Sequence, residues 1–172
     1  MSEAAIECGA LADEIVQMAE VDQAMRQRAM TGGGWDAAVD AQNTRRLKEI
    51  VQDIGWPTRS KVGQRASYLV WLLVQHADHD AAFQRECLQL MQAPPAGEVD
   101  PRNIAYLEDR VRVNEGRPQR YGTQFCTDVQ GQFGPRPVED PDQLDERRRA
   151  VGLEPFEAYR RLMMEHVPRP VR

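Results

Sequence analysis

The sequence is short of most of the features that announce a function. Its three cysteines, Cys8, Cys87 and Cys126, are odd in number, far apart and without a CxxC pair, so they encode neither a disulfide framework nor a recognisable zinc site. Lysine is almost absent, 20 of the 22 basic residues being arginine. The net charge of −5 leaves no basic stripe for tracking phosphates, which excludes nucleic acid as the expected partner. Even the arginine-rich stretch 145–172 sets five acids against its seven arginines. No apolar run approaches the roughly 18 residues of a membrane span; the longest, "YLVWLLV", stops after seven. The opening "MSEAAIECGALADEIV" carries acids where a leader peptide carries positive charge, so a cytoplasmic, reducing location is the simplest fit.

Catalytic signatures are missing too. There is no nucleophile elbow, no Ser-x-x-Lys pair and no dinucleotide fingerprint. The triple glycine of "TGGGW", residues 31–35, lacks both the ending of a phosphate loop and a strand in front of it, and it reads as a turn between helices. No cofactor is therefore expected.

What is present is helical periodicity. Of the 172 residues, 41% are hydrophobic and 28% charged, the balance of an ordinary globular chain of one-domain length. Leu11, Ile15, Met18 and Met25 recur at helical spacing in a first helix over about 3–30. A second is expected over 35–54, closed by Gly55, and a third over 61–77, its broad apolar face formed by Ala66, Leu69, Val70, Leu73 and Ala77. The fourth spans 81–92, with Asp78 to Asp80 as its capping region. The fifth starts at Asp100-Pro101, an Ncap acid followed by a proline at N1. After Pro118 the period is lost. "YGTQFCT" and "QFGPRPV", joined across Gln130-Gly131, read as a short β-hairpin, and two further helices over 141–151 and 155–166 complete the chain. The expected fold is mainly α: a compact single domain, 1–172, of about seven helices with one hairpin between the fifth and sixth.

The blocks "WPTRSKVG", "WLLVQHADHD", "AYLEDRV", "EGRPQRYGTQF" and "VEDPDQLDERRRAVGLEP" resemble a family of bacterial proteins classified only as a domain of unknown function. They cover roughly two thirds of the chain. The resemblance implies that the blocks belong together, and it carries no activity, fold or cofactor.

Three clusters hold the candidate chemistry. The first is "WLLVQHADHD", where Gln75 and His76 fall on the last turn of the apolar third helix. An imidazole there is either a core group satisfied by one hydrogen bond or a poised acid/base. On a continuing helix, His76 and His79 would share a face and could hold a metal, although HxxH alone is a weak signal. The second is Asp109 and Arg110, a carboxylate to orient an imidazole and a guanidinium to clamp an anion, or else a structural ion pair. The third is Tyr121, Thr123 and Gln124, which would wall the pocket if the segment alternates as a strand, or would merely satisfy the hairpin's own backbone. Glu139 and Asp140 read first as helix-start residues.

The leading expectation is a small cofactor-independent enzyme. His76 would act as general acid/base and Asp109 or Asp78 would orient it, while Gln75, Arg110, Tyr121, Thr123 and Gln124 bind a small polar substrate for hydrolysis, elimination or isomerisation. The alternatives are a non-catalytic module that binds a small molecule or peptide, and a divalent-metal protein using His76 and His79. No membrane partner is expected, and oligomeric state is left open.

Overall fold

The computed structural model describes residues 3–165, with side chains over 9–165; His166 and the Cys8 side chain lie outside the described residues. Seven α-helices and one two-stranded hairpin make up the described chain, in the order α1 Glu3–Met30, α2 Ala37–Ile54, α3 Arg59–Gln75, α4 Ala81–Gln92, α5 Pro101–Asn114, β1 Phe125–Thr127, β2 Phe133–Pro135, α6 Leu144–Ala150 and α7 Phe156–Glu165. None of the described helices is long and apolar enough to cross a membrane. The chain divides into two compact units, residues 1–100 and residues 101–172.

In the first unit α1 packs along α3, with α2 against both. The core is Ile15, Ala19 and Met25 from α1, Leu47 and Ile50 from α2, and Val70, Leu73 and Val74 from α3, with Phe83, Cys87 and Met91 from α4. Local chemistry sets the boundaries. Asp36 caps α2 by accepting the Ala38 amide at 3.0 Å, and Gly55 ends it at φ 67° with its N–H returned to the Val51 carbonyl. Asp80 caps α4 through the Phe83 amide at 3.0 Å and also pairs with Lys48 at 2.5 Å. The third helix begins two residues earlier than its period suggests, because Thr58 opens a first turn that Gly63, at φ 80° and ψ 163°, then kinks. It also stops earlier: Gln75 is its last residue and His76 is the C-cap. The helical i, i+3 face that was to present His76 and His79 together is therefore not formed, and His79 is exposed in the turn that follows.

In the second unit β1 and β2 pair antiparallel with Phe125 opposite Pro135 and Thr127 opposite Phe133. Asp128 closes the turn by accepting the amides of Gln130 and Gln132. The strand starts only at Phe125, so the expected alternation of Tyr121 and Thr123 on one face does not exist; residues 120–124 form an irregular turn instead. Asp140 is a helix-start residue as expected, at the N-cap position of the 3-10 turn Pro141–Gln143 that leads into α6, whereas Glu139 serves elsewhere. The Glu139 carboxylate pairs with Arg112, and Asp140 sits at φ 41° without a side-chain capping bond.

Arg148 is the largest side chain of this unit's interior, fully buried. It donates to the carbonyls of Glu154 and Tyr121 and lies over the rings of Phe156 and Tyr159 at 5.8 and 5.1 Å. Burial lowers its pKa from the ordinary arginine value. Gly122 lets the chain pass beneath Phe156: its φ is +69°, and a Cβ there would stand 2.6 Å from Phe156 Cε2. Gly122→Ala is expected to cost about 2 kcal/mol, from the left-handed backbone plus the displaced ring, read as a lower denaturant midpoint with unchanged slope.

Candidate active site

The buried face of α1 carries one residue that does not belong to an apolar stripe. Asp22 lies seven residues after Ile15 and three before Met25, at the helical spacing of the core, and it is fully buried. An ionised carboxylate in such a place must be paired and hydrogen-bonded. Its partners are Nδ1 of His76 at 2.9 Å, Nε of Arg26 at 3.2 Å and Nε2 of Gln23 at 2.7 Å. His76 reaches it because α3, packed along α1, ends just before that residue. Arg26 follows one turn after Asp22 and spans further, donating Nη2 to Asp40 in the first turn of α2 at 2.6 Å. Trp35, at the end of the glycine turn, lies over the Arg26 guanidinium at 4.8 Å.

The result is a chain of groups, His76, Asp22, Arg26 and Asp40, drawn from three helices of one unit. The side chains of His76 and Arg26 are each 18% exposed and that of Asp22 is 0% exposed. The network is thus dry at Asp22, in its middle, and partly open on either side. Nε2 of His76 and Nη1 of Arg26 have no hydrogen-bond partner among the described residues.

The two carboxylates are driven apart electrostatically. For Asp22, burial disfavours the charge, but hydrogen bonds from His76 and Arg26 outweigh it and hold the carboxyl below the ordinary aspartate value. For Asp40, burial dominates and the nearby Asp22 charge adds to it, so its carboxyl titrates higher than usual despite Arg26. The signs for stability are opposite. Above the unfolded aspartate value, about 3.9, Asp22 contributes stability, which is lost as pH falls through its depressed folded value. Asp40 does the reverse: between the unfolded value and its raised folded value, lowering the pH adds stability. Unfolding curves recorded through the acid range are accordingly expected to lose part of their acid limb in Asp22→Asn, and to lose the opposing rise above it in Asp40→Asn.

The expected site residues are distributed differently. His76 takes its carboxylate from Asp22, not from Asp109 or Asp78. Asp109, fully buried, gives both oxygens to its own unit: Oδ1 accepts the amides of Arg120 at 2.6 Å and Tyr121 at 3.0 Å, and Oδ2 accepts the Thr123 amide and hydroxyl, each at 2.9 Å. It is the anion around which residues 120–123 turn. Asp78 is exposed and accepts from Gln84 at 3.2 Å. Thr123 is committed to Asp109, and Gln124 donates its side chain to the Thr123 hydroxyl. The Tyr121 amide and carbonyl hold Asp109 and Arg148, and burial raises its phenol above the ordinary value. Gln75 is buried at the end of α3, and Arg110 is half-buried on α5.

Asp22, Arg26, Asp40 and Trp35 were missed. Asp22 had a legible signal, an acid filling the seven-residue gap between Met18 and Met25 in an otherwise apolar stripe. Elsewhere in the first unit, a cavity of about 470 Å³ lies between residues 56–61 and the end of α4, lined by Trp56, Lys61, Leu90 and Pro94 among others. It holds none of the expected site residues.

Fold and site together define a mainly helical protein whose first unit is organised round a buried aspartate–histidine–arginine network. The chain belongs to a family of unknown function (DUF6624), whose model matches residues 9–169. No curated protein and no solved structure matches it.

Proposed function

We propose that the protein is a small enzyme that uses His76 as its general acid/base on a small polar substrate, without a cofactor. The observation that carries this reading is the 2.9 Å contact between Nδ1 of His76 and the fully buried Asp22. A carboxylate in that position orients the ring, favours the tautomer with Nδ1 protonated over the one in which Nδ1 accepts from Arg26 Nε at 2.9 Å, and stabilises the imidazolium that forms when the other nitrogen takes a proton. Nε2 is then the working atom. It removes a proton from substrate or water, and the positive charge that develops is balanced across one hydrogen bond.

Arg26 supplies the second requirement. Its guanidinium is held on two carboxylates and stacked under Trp35, a preorganised cation whose Nη1 is suited to an oxygen of the substrate, by charge-assisted hydrogen bonding. Hydrolysis, elimination and isomerisation all use that pairing of a base with an oxygen-binding cation.

The test is a panel of ester, lactone, amide, phosphoester, hydroxy-acid and amino-acid substrates, followed by NMR with the wild type and with His76→Asn. Asparagine keeps a donor toward Asp22 and removes Nε2. Turnover of one class is expected, falling by a factor of about 10²–10⁴ in the variant, the usual share of a general acid/base, with melting little changed. Equal turnover in both proteins, or a panel compound that binds the wild type without being converted, would contradict the reading.

A further inference from the structure

The cavity of about 470 Å³ at the start of α3 is lined by two opposite charges that do not pair with each other. One is Lys61. Its ammonium donates to the carbonyl of Ile54, the last residue of α2, and to that of Trp56 at 3.2 Å. An ammonium has three N–H groups; among the described residues the third finds no acceptor and the charge no carboxylate. The other is Glu98. Its Oε2 accepts the Ser60 amide at 3.0 Å and the Ser60 hydroxyl at 2.8 Å, bonds that hold its carboxyl below the ordinary glutamate value. Among the described residues no cation pairs with it, the neighbouring Arg59 lying with Asp100 at 3.6 Å. The rest of the lining is largely apolar, led by Trp56, Leu90 and Pro94. Trp56 is 3% exposed, and its buried Nε1–H has no acceptor among the described residues, an unmet donor in the cavity wall.

We propose that this cavity binds a zwitterion with an apolar side chain, a free apolar α-amino acid being the simplest: carboxylate on Lys61, ammonium on Glu98, side chain against Trp56, Leu90 and Pro94. Each protein charge is pinned by its own bonds, Lys61 by two backbone carbonyls and Glu98 by Ser60. They are thereby held apart and preorganised for a ligand that brings both counter-charges. A lone carboxylate would meet the Glu98 charge, a lone amine would meet Lys61, and an uncharged apolar molecule would leave both unpaired. The volume lies in the range of small-molecule sites, which combine an apolar lining with a few placed polar groups. The site is separate from the acid/base group proposed above, since His76 caps the opposite end of α3. It also gives a role to "WPTRSKVG", which brings Trp56, Ser60 and Lys61 to one cavity.

The chain has three tryptophans, so nitrogen-15-labelled protein gives three indole N–H signals, and Trp56→Phe or sequential assignment identifies the one at the cavity. Titration with L-phenylalanine or L-leucine is expected to shift that signal saturably, with a dissociation constant of about 1 mM or tighter. Phenylpropionate, which lacks the ammonium, and phenethylamine, which lacks the carboxylate, should each bind about fivefold or more weakly, the scale of one partly exposed charge pair. Glu98→Gln, whose amide oxygen still accepts from Ser60, should weaken L-phenylalanine by a like factor and not weaken phenylpropionate. Lys61→Gln should do the same for L-phenylalanine and spare phenethylamine. An absent shift with both amino acids, or equal binding of L-phenylalanine and its two analogues, would overturn the proposal. The analogue series needs only the wild type, so it decides even where a variant does not fold. Loss of binding in His76→Asn would move the amino acid to the acid/base group and overturn its assignment to this cavity.

Discussion

Asp109→Ala is expected to destabilise the protein by about 3–5 kcal/mol. For a chain of this length that corresponds to a melting temperature roughly 10 °C lower. The carboxylate gathers three backbone amides and one hydroxyl from residues 120–123 while fully buried. Removing it strands those donors, and each one left buried without an acceptor costs on the order of 1–3 kcal/mol. The turn they form also delivers the Arg120 carbonyl to Arg147 and the Tyr121 carbonyl to Arg148, so its loss spreads into α6. Asp109→Asn restores only one acceptor and turns an amide toward the remaining N–H groups, so most of the loss should persist. Thermal melts of the two variants check this. Wild-type melting together with lost turnover would instead make Asp109 a member of the catalytic group, as its place in the sequence first suggested.

The second large effect is on chemistry. Asp22→Asn should lower turnover by a factor of about 10²–10⁴, because an amide beside Nδ1 can donate to it and so stabilise the tautomer with the proton on Nε2. The loss belongs to the pair rather than to either residue. In the His76→Asn background the same substitution should therefore cost little further activity, a non-additivity that a double-mutant cycle measures. Some stability is lost as well, since Arg26 retains Asp40 but gives up an ionised partner. The cycle in turnover separates that loss from the catalytic one.

The fold was legible where local chemistry decides it. Apolar spacing located the helices, Gly55 ended α2, and Asp80 capped α4. The shift from helical period to Gly, Thr and aromatic residues after Pro118 marked the hairpin. Legibility failed where a backbone atom, not a side chain, performs the role. "QRYGTQF" looks like a pocket wall because its side chains carry hydrogen-bonding groups, yet Asp109 mostly uses its amides, which every non-proline residue has. Only Gly122, at positive φ, hinted at a turn there.

The site was half legible. His76 could be singled out because a polar ring at the end of an apolar helix is unusual. Its partner could not be chosen, because 54 residues separate it from Asp22 and no local spacing links two helices that meet only on folding. The nearer acids, Asp78 and Asp109, had sequence context in their favour but have other roles. Asp22 was marked only by its intrusion on a core stripe, and Arg26, Asp40 and Trp35 depend on how that stripe packs.

The central claim is that Asp22 holds His76 through Nδ1–H and leaves Nε2 to work. The most direct measurement of it is the tautomer of neutral His76 in the wild-type protein, from its imidazole nitrogen-15 shifts. A protonated Nδ1 and a bare Nε2 are predicted; a protonated Nε2, with Nδ1 accepting from Arg26, would contradict the account.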